Sequence, residues 1–213
     1  MCMEQHIEEK IKEIKKSLRL AMNGVVSTLQ RRQGLNYKIN FGVEIPRIKE
    51  LAAKYKKEKQ LANSLWKENI RECRILAILI MPVEEFTKDD ADCWIATAQY
   101  TELADQLSMH LLSRIPNAAE YALSWAQGEE SITAYCGFAT FAHLLRKGTI
   151  LSKEQQQMYL SITARTLDRQ SEPGIIVKQC AFNTFAVFTE TGQADRDEID
   201  KHDTLREILE FNY

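Results

Sequence analysis

The chain has no Cys-x-x-Cys pair, no run of eighteen apolar residues and none of the short loops that mark nucleotide or hydrolase sites. Its five cysteines (Cys2, Cys73, Cys93, Cys136, Cys180) are odd in number and widely spaced, and its four histidines (His6, His110, His143, His202) are equally scattered. Neither a disulfide framework nor a metal site is expected from such spacing. The longest apolar stretch, Ile75 to Val83, is too short to cross a bilayer. The opening residues are charged, with no apolar block before a cleavage site, so a cytoplasmic address without membrane contact is expected. Gly-x-Gly-x-x-Gly, the phosphate loop, His-Glu-x-x-His and Gly-x-Ser-x-Gly are all missing. Nucleotide-driven, zinc-hydrolase and lipase-type chemistry therefore lose support, and no cofactor is implied.

What is present is an ordinary globular composition, 45% apolar and 27% charged over 213 residues, enough for one sizeable core. A single domain over residues 1–213 is the expectation. The net charge of −2 conceals an asymmetry: residues 1–81 hold 17 Lys and Arg against 9 Asp and Glu, whereas residues 82–213 hold 11 against 21. Such polarity suits an anionic partner at one end, although charges that merely solvate helix faces would give the same totals.

Apolar periodicity predicts an all-α protein. Ile7, Ile11, Ile14, Leu18, Met22, Val25, Val26 and Leu29 recur at helical spacing, predicting one long first helix stopped by Gly34. Residues 33–43 lack any period and read as an ordered loop, and Pro46 then suits the first turn of a helix. Leu61, Leu65 and Trp66 line a further helix. Its successor, with Cys73, Ile75, Leu76, Ile78, Leu79 and Ile80, is apolar nearly all round and should be central. Thr87 with Asp90, and Ser152 with Gln155, are capping pairs; Asn117 is a third expected cap, and Pro173 should open a helix. Helix starts near 88, 117 and 152 recur about every thirty to thirty-five residues, the spacing of helix–turn–helix repeats that stack into a curved solenoid. The acidic stretch 194–213 reads as a terminal helix covering the end of the stack.

The basic third contains Arg31, Arg32, Lys38, Arg47, Lys54 and Lys57, which could track a phosphate backbone by counterion release; a solvated helix end around KYKKEK is the plainer alternative. The stretches GLNYKINFGVEIPRIKELAAKY, LANSLWKENIRECRILAILIM and FTKDDADCWIATAQYTELADQL resemble the DNA alkylation repair family, alkylpurine DNA glycosylases built of HEAT-like repeats. That resemblance implies a right-handed superhelix of antiparallel helix pairs whose concave basic face meets duplex DNA. It further implies release of cationic N3- or N7-alkylated purines. A carboxylate would stabilise the charge developing on the sugar, and aromatic faces would stand beside the cationic base.

The family's Asn-Trp-Asp-Leu-Val-Asp motif falls on Tyr100, Thr101, Glu102, Leu103, Ala104 and Asp105, which makes Asp105 the implied catalytic carboxylate with Glu102 beside it. Thr101 replaces an aromatic wall, Thr133 to Gly137 lack the family's arginine pair, and Asn183 falls at a further tryptophan position. Losing an aromatic face or a phosphate-binding guanidinium should forfeit about 1–3 kcal/mol each, so low or altered activity is expected. Tyr100, Trp94, Tyr135 and Trp125 are the candidate replacement aromatics, with helix packing the alternative for the two tryptophans. Asp105 itself could instead be a surface acid or an acceptor between helices. Three functions remain open: a DNA-binding protein with a degraded cleft, binding duplex DNA in a salt-dependent way; a non-catalytic scaffold with a protein partner; and an active glycosylase with a rearranged cleft.

Overall fold

A computed structural model describes residues 2–168 and 174–211, with the side chains from residue 5 to residue 210 within them. Among these residues every regular element is a helix, and the β-type pairing is an isolated parallel bridge between Ile39 and Ile70. Among the described residues no helix is long and apolar enough to cross a membrane. The chain divides into two compact units, Met1–Phe86 and Thr87–Tyr213.

The first unit holds α1 (Cys2–Leu20), α2 (Gly24–Arg32), α3 (Ile45–Ala52), α4 (Lys59–Lys67) and α5 (Arg71–Ile80). The long first helix expected over residues 7–29 is thus two helices. Asn23 is the reason: its side-chain oxygen accepts from the N–H groups of Val25 and Val26 at 3.1 and 3.2 Å, starting a new helix with a cap worth about 1 kcal/mol. Its own N–H donates to the Phe41 carbonyl at 2.9 Å. The break turns the second half of the apolar stripe outward. Ile14 and Leu18 are buried, but Val25 is 71% and Leu29 50% exposed.

Helix α5 is central, as its all-round apolarity predicts, packing against α4, α3 and α1; Cys73, Ile75, Leu76 and Ile78 are buried. Each buried aliphatic side chain of this kind contributes about 1.5–3 kcal/mol relative to exposure. Two charged residues open this helix in the dark. Glu72 accepts from the N–H groups of Phe41 and Val43 at 3.1 and 3.2 Å, and Arg71 donates to the Val43 carbonyl at 2.9 Å and to Glu72 at 3.2 Å. Together they satisfy the backbone of the loop over 33–44, which explains how an aperiodic segment can bury Tyr37, Phe41 and Val43. At Gly42 (φ +71°) a Cβ would lie 2.2 Å from the Asn23 carbonyl oxygen, so the loop lies against the start of α2 at a distance only glycine permits.

The second unit stacks α6 (Lys88–Thr97), α7 (Thr101–His110), α8 (Ala118–Ala126), α9 (Ser131–Arg146), α10 (Lys153–Asp168) and α11 (Ile175–Glu190), with α8 paired on α9, α10 paired on α11, and α6 and α7 both packed on α9. Helix α9 lies between α7 and α11, while α8 packs across α9 and beside α10, giving two layers. Thr87 and Asp90 form the expected reciprocal capping box, as do Ser152 and Gln155. Asn117 does not cap with its side chain. Its backbone is left-handed (φ 58°), and its carbonyl closes the first turn of α8, a conformation that asparagine tolerates better than most residues after Pro116. Pro173 lies outside the described residues; α11 starts at Ile175.

Phe141 stacks on Tyr159 at 4.4 Å between ring centroids, and Tyr159 meets Phe188 at 5.1 Å, forming the centre of this core. Gly137 lets α8 and α9 touch backbone to backbone, since a Cβ there would sit 2.2 Å from the Ala126 nitrogen. The acidic tail forms two short helices, α12 (Arg196–Ile199) and α13 (Asp203–Phe211). Both lie on α10, with Leu205 buried and Ile208 and Leu209 packed on the core.

Candidate nucleic-acid interface and carboxylate site

In the first unit all six predicted phosphate contacts are exposed: Arg31 and Arg32 end α2, Lys38 sits in the loop, Arg47 is on α3, and Lys54 and Lys57 follow it. Arg47 pairs with Glu50 on its own helix. Among the described residues the other five make no salt bridge, whereas Lys10 and Lys15 of α1 are tied to Glu58 and Glu68. Arg47 and Lys54 also line a groove of about 440 Å³ beside the end of α1, with Leu20 and Leu51 on its apolar walls. Cations without acidic partners keep their full attraction for an outside anion.

In the second unit, α7 and α9 bring together two predicted residues that are thirty positions apart. Asp105 is half-buried, and the Tyr135 hydroxyl donates to its Oδ1 at 2.9 Å. Burial raises the Asp105 carboxyl above the ordinary carboxylate range, the tyrosine hydrogen bond opposes this, and Glu102, one turn earlier on α7, raises it further. Burial, then the Asp105 charge and the hydrogen bond to it, push the Tyr135 hydroxyl well above its usual value. Tyr135 is therefore a standing donor and not a base.

Cys180 of α11 reaches the same place, its sulfur 4.0 Å from the Tyr135 carbonyl oxygen. Burial and the Asp105 charge push its thiol up to about 12, and burial likewise raises Cys136. Both are protonated and poor nucleophiles. Sequence reading missed Cys180, because helical periodicity within each segment carries no information about which turn of α11 meets which turn of α9.

The remaining candidates separate. Trp94 and Trp125 are only 3% and 4% exposed; the Trp125 Nε1–H donates to Asp92 at 2.8 Å, fastening α8 to α6. Both therefore present little face to a ligand. Tyr100 and Glu102 are half-buried at the start of α7. Thr101 and Thr133 are half-buried, and Asn183 is exposed, accepting from Gln179 at 3.0 Å. Among the described residues, no group of three or more His, Cys, Asp or Glu is placed to hold a metal ion.

The arrangement resembles known proteins at the level of fold. One solved structure, described as a new family of proteins related to the HEAT-like repeat DNA glycosylases with affinity for branched DNA structures, superposes with a TM-score of 0.77 at 20% identity. The match covers 93% of this chain and 81% of that one, so the stacked pairs are a HEAT-like repeat fold. A search of curated proteins gives no match. The sequence model of the DNA alkylation repair enzymes fits residues 8–172, and with more than half its length matched the chain belongs to the DNA alkylation repair enzyme family.

Proposed function

We propose that the protein is a DNA-binding member of this family whose capacity to release N3- or N7-alkylated purines is low. The observation that carries the reading is the hydrogen bond from Tyr135 to Asp105. A carboxylate stabilises a developing positive charge best when it is ionised and its oxygens are unengaged. Here one oxygen is already occupied, and burial works against the ionised form that the tyrosine hydrogen bond supports. The hydrogen bond is charge-assisted, so displacing it costs about 1.5–3 kcal/mol, a tenfold to hundredfold slower step. Thr101 and Asn183 present no aromatic face that could offset this.

Support for binding comes from the exposed cations of the first unit, Arg31, Arg32, Lys38, Arg47, Lys54 and Lys57. The affinity of the structural neighbour for branched DNA makes a four-way junction a rational probe beside plain duplex. A second reading, a non-catalytic scaffold for a protein partner, is favoured by the exposed apolar residues Leu20, Met22, Val25 and Leu29.

The test incubates wild type and Asp105→Asn with methylated duplex DNA and measures released base. The expected result is slow or undetectable release by wild type together with measurable duplex or junction binding. Rapid release that disappears in Asp105→Asn would refute low activity, and failure to bind either DNA at low salt would favour the scaffold.

A further inference from the structure

The second unit is acidic, with 11 Lys and Arg against 19 Asp and Glu, yet its cations are not spread evenly. Lys88, Arg196, Lys201 and Arg206 are each paired with an acid on their own helix or the turn beside it. Arg146 and Lys147 stand together at the end of α9, with Arg114 on the short 3₁₀ turn Leu112–Arg114 beside them. Among the described residues none of these three makes a salt bridge. The Lys147 ammonium is held there by Ser113, donating to its hydroxyl at 2.9 Å and its carbonyl at 3.4 Å.

Like charges have been brought together at a cost. Burial and the neighbouring Arg114 lower the Lys147 ammonium, and burial with Arg146 and Lys147 lowers the half-buried His143. The end of α9 attracts cations by its dipole; that accounts for Arg146 and Lys147 but not for Arg114, which belongs to another element. An anion seated among them would relieve the repulsion.

Position ties the cluster to the carboxylate site. Tyr135 and Arg146 are eleven residues apart on α9, three turns, so they share one face about 17 Å apart. The Arg146 charge is felt at Cys180, the thiol beside the Tyr135 carbonyl. Resting on the DNA-binding reading above, we infer that Arg114, Arg146 and Lys147 form a second phosphate-backbone contact, in the acidic unit, on the Asp105–Tyr135 side of α9. A strand carrying a phosphate every 3.4 Å along the axis covers that distance in about five nucleotides. DNA that presents a nucleotide to Asp105 would then run past Arg146.

The decisive variant is Arg114→Gln with Arg146→Gln, both exposed and outside the core; Lys147 is left in place because Ser113 holds it. The control, Lys153→Gln with Arg165→Gln on α10, removes the same charge from the same unit elsewhere. Duplex and four-way junction binding are measured from 50 to 200 mM salt, with thermal melts verifying that both variants fold. The site variant should lower the slope of log affinity against log salt by about 2 and weaken binding about tenfold at low salt, while the control changes neither. Equal effects in the two variants would reduce the result to net charge and overturn the site. Wild-type affinity retained by Arg114→Gln/Arg146→Gln would overturn it while leaving DNA binding intact. Absence of binding by wild type would remove the parent reading and this contact together.

Discussion

Glu72→Ala should be among the most damaging single changes in the first unit. The carboxylate is fully buried and Arg71 is 2% exposed. Removing Glu72 takes a carboxylate partner from a buried guanidinium and leaves the N–H groups of Phe41 and Val43 without their acceptors. Breaking a buried pair from one side costs about 3–5 kcal/mol, and each orphaned amide adds about 1–3 kcal/mol, the two costs overlapping because the groups share one network. A loss of at least about 3 kcal/mol corresponds to a fall of some 6–12 °C in melting temperature for a chain of this size. Thermal and urea unfolding would measure it, and hydrogen exchange at the Phe41 and Val43 amides would localise it. Arg71→Leu combined with Glu72→Leu should recover only part of the loss, because the buried positive charge is removed but the two amides remain unsatisfied. The loop carries Lys38, so the single variant should also bind DNA less tightly. A Glu72→Ala protein within about 1 kcal/mol of wild type, with unchanged exchange at both amides, would refute this account of how the loop is held.

Other expectations follow from the same contacts. Gly137→Ala forces a methyl group to within 2.2 Å of the Ala126 nitrogen and 2.7 Å of the Ala122 carbonyl oxygen. Overpacking against backbone should cost about 3 kcal/mol or more, read from urea unfolding. Asp105 has its carboxyl raised in the fold, so its contribution to stability is fully present below its unfolded pKa and is lost as pH rises through the folded one. Asp105→Asn should accordingly melt higher than wild type at pH 7 and lose that advantage towards pH 4, whereas an advantage that grew on acidification would contradict the sign. Arg31→Gln with Arg32→Gln should lower the salt slope of DNA binding by about 2 without altering the melting temperature.

Most of the helical architecture could be read from apolar spacing and capping residues. Thr87, Asp90, Ser152 and Gln155 fixed two helix starts correctly because a capping box is local, its partners lying three residues apart. The continuous first helix failed for a local reason too: the stripe through Met22 and Val25 suggested continuity, while the Asn23–Gly24 cap that interrupts it is a single hydrogen-bonding side chain. The candidate site was legible residue by residue and not as a geometry. Asp105 and Tyr135 were both singled out, yet their contact joins neighbouring helix pairs, and pairing between repeats depends on helix rotation that one sequence does not encode locally. The buried Arg71–Glu72 pair was invisible for the opposite reason, since two charged residues opening an apolar helix ordinarily face water.

The affinity of wild-type protein for duplex and four-way junction DNA, followed from 50 to 200 mM salt, tests the DNA-binding claim most directly. Six phosphate contacts by Arg31, Arg32, Lys38, Arg47, Lys54 and Lys57 predict a linear fall of log affinity with log salt, amounting to about a thousandfold over that range. Binding that is indifferent to salt, or absent at 50 mM, would contradict it.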